Sequence, residues 1–229
     1  MPGYWRLRVT RHPGLFDVPN VTRTATGVDG DALNVGLAGS RDGLLHAMIA
    51  AGWLPADPIT LKSSLRIVAA SALRRPYPQA PVSHLFLFGR REDLAFEKPV
   101  GDDPRKRHHV RFWLTPRLAR DGRPIWVGAA TFDERVGLSR DTGQVTHVTA
   151  PDIDAERDTL LADLDRAGTL ASIETIRDFR QTRSGRNGGG DPWRTDGSLS
   201  LGMLKSTADA PTARPPVTAP AAPAPAPSR

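Results

Sequence analysis

The sequence predicts an α+β domain, a mostly antiparallel sheet covered by about three helices and followed by a disordered Pro/Ala-rich tail. Three observations predict it. Apolar residues recur at helical spacing in three separate segments. Residues 108–114 and 125–133 show the alternation with period two that a strand imposes. The last 24 residues, 206–229, draw 15 of their number from Ala and Pro and offer little apolar surface to offset the entropy of ordering them.

The elements follow in order. Residues 1–19 read as an irregular lead-in, the continuation of something longer, and residues 20–205 as one domain. Residues 34–39 read as a short buried strand. Ser40 then caps a helix whose stripe is Leu44, Ala47, Met48 and Ala51, and Gly52 ends it. A second helix is expected over residues 60–74, stopped by Pro76 and Pro78. Residues 83–90 are apolar on both faces, which predicts a central strand, with Phe86 and Phe88 joining Trp53 and Trp126 in the core.

In residues 108–114 the alternation sends His108, Val110, Phe112 and Leu114 one way and His109, Arg111 and Trp113 the other. Residues 125–133 follow as a hairpin partner after the turn Arg120-Asp121-Gly122-Arg123. Short strands are expected near residues 136–139 and 144–148. A third helix spans residues 154–167, with Leu160, Leu161, Leu164 and Ala167 on its buried stripe and Gly168 as its stop. Strands over residues 169–177 and 199–204 flank the glycine-rich loop Ser184 to Asp191, which reads as a surface turn.

Composition excludes several classes. The chain has no cysteine, so disulfides, thiolate catalysis and zinc–thiolate sites are ruled out. Its formal charge of +6 raises the question of nucleic acid or an anionic membrane surface. Nucleic acid is the poorer fit: arginines are scattered among acids, no recognition motif occurs, and the basic run Arg105 to His109 is short. There is no apolar leader, and no segment reaches the ~18 apolar residues of a membrane span. A cytoplasmic or membrane-peripheral protein is expected.

Several segments taken together resemble the LssY C-terminal domain. They are Asn34-Val35-Gly36-Leu37-Ala38-Gly39-Ser40, Ala51-Gly52-Trp53, Pro81-Val82-Ser83 and Gly89-Arg90-Arg91-Glu92-Asp93-Leu94-Ala95-Phe96. Arg107-His108-His109-Val110-Arg111-Phe112-Trp113 and Trp126-Val127-Gly128-Ala129-Ala130-Thr131 follow. Thr146-His147 and Asp152-Ile153-Asp154-Ala155-Glu156-Arg157 complete the set, covering about residues 20–205. The resemblance implies a soluble appendage of membrane proteins of the DedA or phosphatidic-acid-phosphatase type. It supplies no catalytic residue.

The polar residues offer three constellations. On one face of the 108–114 strand, Arg111 suits a bidentate phosphate contact, His109 a proton transfer and Trp113 a stacking wall. The plainer reading is a structural Arg–carboxylate pair with a core histidine. His147 with Asp152, Asp154 and Glu156 could hold a divalent metal, but carboxylates at a helix start also cap it and complement its dipole, which is the stronger reading. Arg157 and Arg186, the latter on the glycine-rich loop, are further anion contacts, and Asp133 could orient a histidine. No P-loop, dinucleotide fingerprint or Gly-x-Ser-x-Gly elbow occurs, and no cofactor is identified beyond that candidate divalent ion.

Two functions follow. One is an accessory or binding module that recognises an anionic group, an anionic lipid or a membrane-protein partner. The other is a phosphoester hydrolase, with or without metal, using His109 and His147 as acid and base, Arg111 as clamp and the nearby carboxylates as supports.

Overall fold

The computed structural model describes residues 8–9, 15, 17–56, 84–101, 106–138 and 145–205. They form a mainly β protein of three sheets carrying two helices. This corrects the expectation of a single sheet beneath about three helices. The helices over Arg41–Ala50 (α1) and Ile153–Arg166 (α2) form. The helix expected over residues 60–74 lies outside the described residues, as does the tail. Most of the extra β-structure comes from strands of two to four residues, too short to show a period, and the rest from the six-residue strand Leu94–Pro99.

The main sheet is ordered β1 (Arg8–Val9), β12 (Leu170–Ile176), β15 (Leu199–Leu204), β4 (Val35–Ala38), β10 (Pro124–Leu138), β9 (Arg107–Leu118), β8 (Leu94–Pro99) and β5 (Leu54–Pro55). The far half of β10 also pairs with β11 (Val145–Thr149). Pairing is antiparallel except between β1 and β12 and between β15 and β4. A second sheet is ordered β3 (Asp29–Ala32), β2 (Val21–Arg23), β6 (Phe86–Leu87) and β7 (Arg90–Arg91). A hairpin of β13 (Ser184–Arg186) and β14 (Pro192–Arg194) is the third.

These parts stack in three layers. One face of the main sheet carries Leu37, Leu94, Phe96, Val110, Phe112 and Trp126, packed on Leu44 and Met48 of α1 and Leu160 and Leu164 of α2. The other face carries Trp113, Val127, Ala129 and Leu201, packed on Leu33, Leu85 and Leu87 at the second sheet. The expected central strand over residues 83–90 is instead the two-residue β6 and its turn in the second sheet. Leu85 and Leu87 are buried, but Phe88 is exposed, contrary to the core role expected for it.

Local chemistry explains the helices. The Ser40 hydroxyl accepts from Gly43 N at 3.1 Å. The Asp152 carboxylate does the same for Ala155 N at 3.2 Å, each cap being worth about 1 kcal/mol. Gly52 and Gly168, at φ +82° and +72°, supply the left-handed residue that ends each helix. Asn34, fully buried, joins the layers. Its amide donates to Ala130 O at 3.0 Å and Ile153 O at 2.6 Å, while its carbonyl accepts from Ala130 N at 2.9 Å.

Candidate functional site

Strand β9 places Arg107, His109, Arg111 and Trp113 on the face turned from the helices, because alternate residues share a side. Register brings their neighbours. Glu97 of β8 lies opposite His109, Asp133 of β10 lies opposite Arg107, and Thr131 lies opposite His109. From above, β3 lowers Asp31 onto Arg111. The result is a buried polar cluster between the main and second sheets.

Its groups are tightly paired. Arg107, 1% exposed, donates from Nε to Asp133 Oδ2 at 3.0 Å and from Nη1 to Glu97 Oε2 at 3.1 Å. Arg111 Nη1 donates to Asp31 Oδ2 at 3.0 Å. His109 Nδ1 lies 3.3 Å from Thr131 Oγ1. Trp113 is wholly buried in the apolar core beside the cluster and stacks on no open surface.

Burial dominates the electrostatics. It pushes the Asp31 carboxyl above its usual range. Arg111 pulls it back, and Asp133 and Asp191 push it further up. Glu97 is raised for the same first reason, opposed by Arg107 and assisted by Asp133. Asp191 approaches from the β13–β14 hairpin, where its carboxylate accepts from Thr149 N at 3.2 Å.

The other expected site residues lie elsewhere. His108 faces the helices, and its Nδ1 meets Glu156 Oε2 at 2.8 Å. Burial raises Glu156, with His108 opposing. Asp152 caps α2 and pairs with Arg194 at 3.1 Å. Asp154 accepts from Arg157 Nη1 at 3.2 Å and Thr195 Oγ1 at 2.8 Å, and Arg157 also reaches Asp158 and Asp196. Asp152, Asp154 and Glu156 thus have separate partners. Among the described residues no group of three or more His, Asp or Glu is placed to hold a metal ion. His147 pairs in register with Val136, and its side chain lies outside the described residues. Arg186 is exposed and donates to Gly190 O at 2.7 Å within its own turn.

Sequence reasoning missed Asp31, Glu97, Arg107 and Thr131. Arg107 was findable, since it continues the His109, Arg111, Trp113 alternation by one step. Asp31 and Glu97 carried no local signal. Arg180 was also missed. Nearly buried, it lies over the Trp193 ring at 4.9 Å, and burial lowers it to about 10, so it stays charged at neutral pH. A surface cavity of about 230 Å³ opens away from the cluster, lined by Arg120, Arg123, Glu174 and Met203 among others. Among the described residues, no helix is long and apolar enough to cross a membrane.

Residues 15–199 match the model of a family described as LssY C-terminus. No curated protein and no solved structure matches the chain.

Proposed function

We propose, from the premise that the chain belongs to the LssY C-terminal family, that it is an accessory binding module recognising an anionic group or a membrane-protein partner. One observation carries this reading: the arginine suited to gripping a phosphate is already engaged inside the fold. Arg111 is held by Asp31, as Arg107 is by Glu97 and Asp133. A phosphate clamp needs guanidinium donors turned towards open space. Freeing Arg111 would strand a buried carboxylate, which is costly.

The positive charge that remains for a partner is on the surface. Arg91, Arg120 and Arg186 are exposed, and the chain carries +6. Surface charge of this kind gives salt-sensitive attachment to anionic groups. A membrane protein of the DedA or phosphatidic-acid-phosphatase type, or anionic lipid beside it, fits as partner.

The alternative, phosphoester hydrolysis, keeps one supporting observation. His109 lies in the same buried cluster as Asp31 and Glu97, two carboxyls that burial holds above their ordinary range. In that version His109 and His147 act as acid and base, and Asp152, Asp154 or Glu156 serves a divalent ion.

The test runs both assays on the full chain. Anionic beads at low and high salt should show binding that salt removes. A panel of phosphate esters with Mg, Mn or Zn should remain intact. Turnover that His109→Ala abolishes would replace the module with the hydrolase.

A further inference from the structure

We propose that two arginine-flanked hairpin tips, Phe88 in the β6–β7 turn and Leu118 at the β9–β10 turn, form a face that docks on an anionic lipid bilayer. The inference rests on the accessory reading and names its partner surface and residues.

Phe88 is the most informative residue. It sits at φ +53° and Gly89 at φ +72°, the left-handed pair of a two-residue hairpin turn. Asn or Asp suits the first of these positions, and a bulky side chain there is strained. The ring is only partly covered in return, the residue being 38% exposed. A strained, exposed aromatic on a turn points to a contact outside the fold.

Its neighbours are arranged for an anionic surface. The Arg90 guanidinium lies 6.0 Å from the Phe88 ring centre. The hairpin's acids are engaged by neighbouring groups of the protein. Glu92 accepts from Leu85 N at 3.1 Å and meets His84 Nδ1 at 2.7 Å. Asp93 accepts from Leu114 N at 2.7 Å and pairs with Arg90. Arg91 stays exposed and forms no ion pair among the described residues.

The second tip adjoins the first. Arg90 Nη2 donates to Leu114 O at 2.6 Å, which fastens the Phe88 turn to β9. Leu114 and Leu118 lie opposite Trp126 and Pro124 of β10, with a register irregularity between the two pairs, and both leucines are exposed. Four strand residues separate them by at most about 13 Å. Leu118 is 64% exposed, with Arg117 and Arg120 beside it. Arg117 pairs with exposed Asp17, and Arg123 with Asp121.

A bilayer fits this surface better than a protein. Protein interfaces of ordinary size bury a contiguous patch of about 800 Å² on each partner. Here single apolar side chains project from convex turns, spaced by arginines. A soft interface accepts such projections one at a time, with the rings and aliphatic chains below the headgroups and the guanidinium groups at the phosphates.

The test uses the full chain and phosphatidylcholine vesicles with or without phosphatidylserine. Co-sedimentation should require phosphatidylserine and fall with added salt. Phe88→Asn should weaken it by about tenfold or more, the loss of one buried aromatic, and Leu118→Ser by a smaller factor. Phe88→Asn should also leave the melting temperature unchanged or raised, because Asn suits the left-handed turn, so misfolding cannot explain the loss. The chain has no cysteine. Phe88→Cys therefore accepts a single environment-sensitive dye, whose emission should shift to the blue on phosphatidylserine vesicles. Wild-type protein that ignores these vesicles, or binds them as well after both substitutions, overturns the inference and leaves the accessory reading standing. Soluble glycerophosphoserine that competes fully with vesicles also overturns it, by assigning recognition to a headgroup pocket. Failure of the accessory reading has its own signature, His109-dependent ester hydrolysis.

Discussion

Arg111 of the main sheet and Asp31 of the second sheet meet at 3.0 Å, both largely shielded from water. This ion pair joins two layers that also meet through apolar side chains and through the hydrogen bonds of Leu114 with Arg90 and Asp93, and it engages the arginine that a phosphate clamp would use. Arg111→Ala should therefore act on stability. It leaves a buried carboxylate uncompensated, a loss of about 3–5 kcal/mol. Urea unfolding measures it, and the double variant Arg111→Met/Asp31→Leu should recover most of the loss. A single variant as stable as wild type would show that the pair does not hold the layers.

The same carboxylate sets a pH dependence. Burial raises Asp31 above 3.8 in the folded state. Its favourable contribution is full below 3.8 and is lost as pH rises through the raised folded value. Relative to Asp31→Asn, wild type should therefore lose stability as pH climbs from 3.8. Thermal melts of both proteins across that range test the slope. A wild-type advantage that grows with pH would mean that the attraction of Arg111 outweighs desolvation.

The sequence made one side of this cluster legible. Alternation alone put His109, Arg111 and Trp113 on a common face of β9, because a strand's period is geometric and needs no tertiary context. It could not reveal that Asp31 closes over Arg111. Asp31 belongs to a four-residue strand in a stretch rich in Gly, Asp and Thr, and its pairing spans 80 positions. Glu97 failed for a similar reason: only register with β9 gives it meaning. The helix stripes of α1 and α2 were legible because each repeats over several turns. The two-residue strands β6 and β7 were not, and an apolar run ending in exposed Phe88 looked like core. The family could be read from its motifs, whereas the chemistry could not, since side-chain types do not say which charges are spent on one another.

Arg107 gives a sharper test of that pairing. Its guanidinium separates two buried carboxylates, Glu97 and Asp133. Arg107→Met keeps much of the volume but sets the acids against each other, which should cost about 3–5 kcal/mol near neutral pH. Burial already raises Glu97 above 4.5, and losing Arg107 removes the attraction that opposed this. Lowering the pH should then protonate Glu97 and return part of the stability. Melting curves at neutral and mildly acid pH measure the recovery. A deficit that is equal at both would show that the acids are not what the arginine offsets.

Asp163 of α2 anchors the helical layer with the opposite pH sign. Its Oδ2 accepts from Trp53 Nε1 at 3.1 Å and Lys98 Nζ at 2.7 Å, and its Oδ1 from Arg166 Nη1 at 2.7 Å. Burial pushes this carboxyl up. The donors from Lys98, Trp53 and Arg166 outweigh it and hold the group below 3.8. Its contribution is therefore present above 3.8 and is lost as pH falls through the lower folded value. Asp163→Ala should cost about 2–3 kcal/mol at neutral pH, because it strands the indole N–H and the ammonium together. Asp163→Asn keeps an acceptor for Trp53 and should cost less, whereas Arg166→Ala, at an exposed position, should cost under about 1 kcal/mol. Urea unfolding orders the three variants. The gap between wild type and Asp163→Asn should narrow in acid, and a gap that widens there would mean the carboxylate is not the charged anchor its three donors imply.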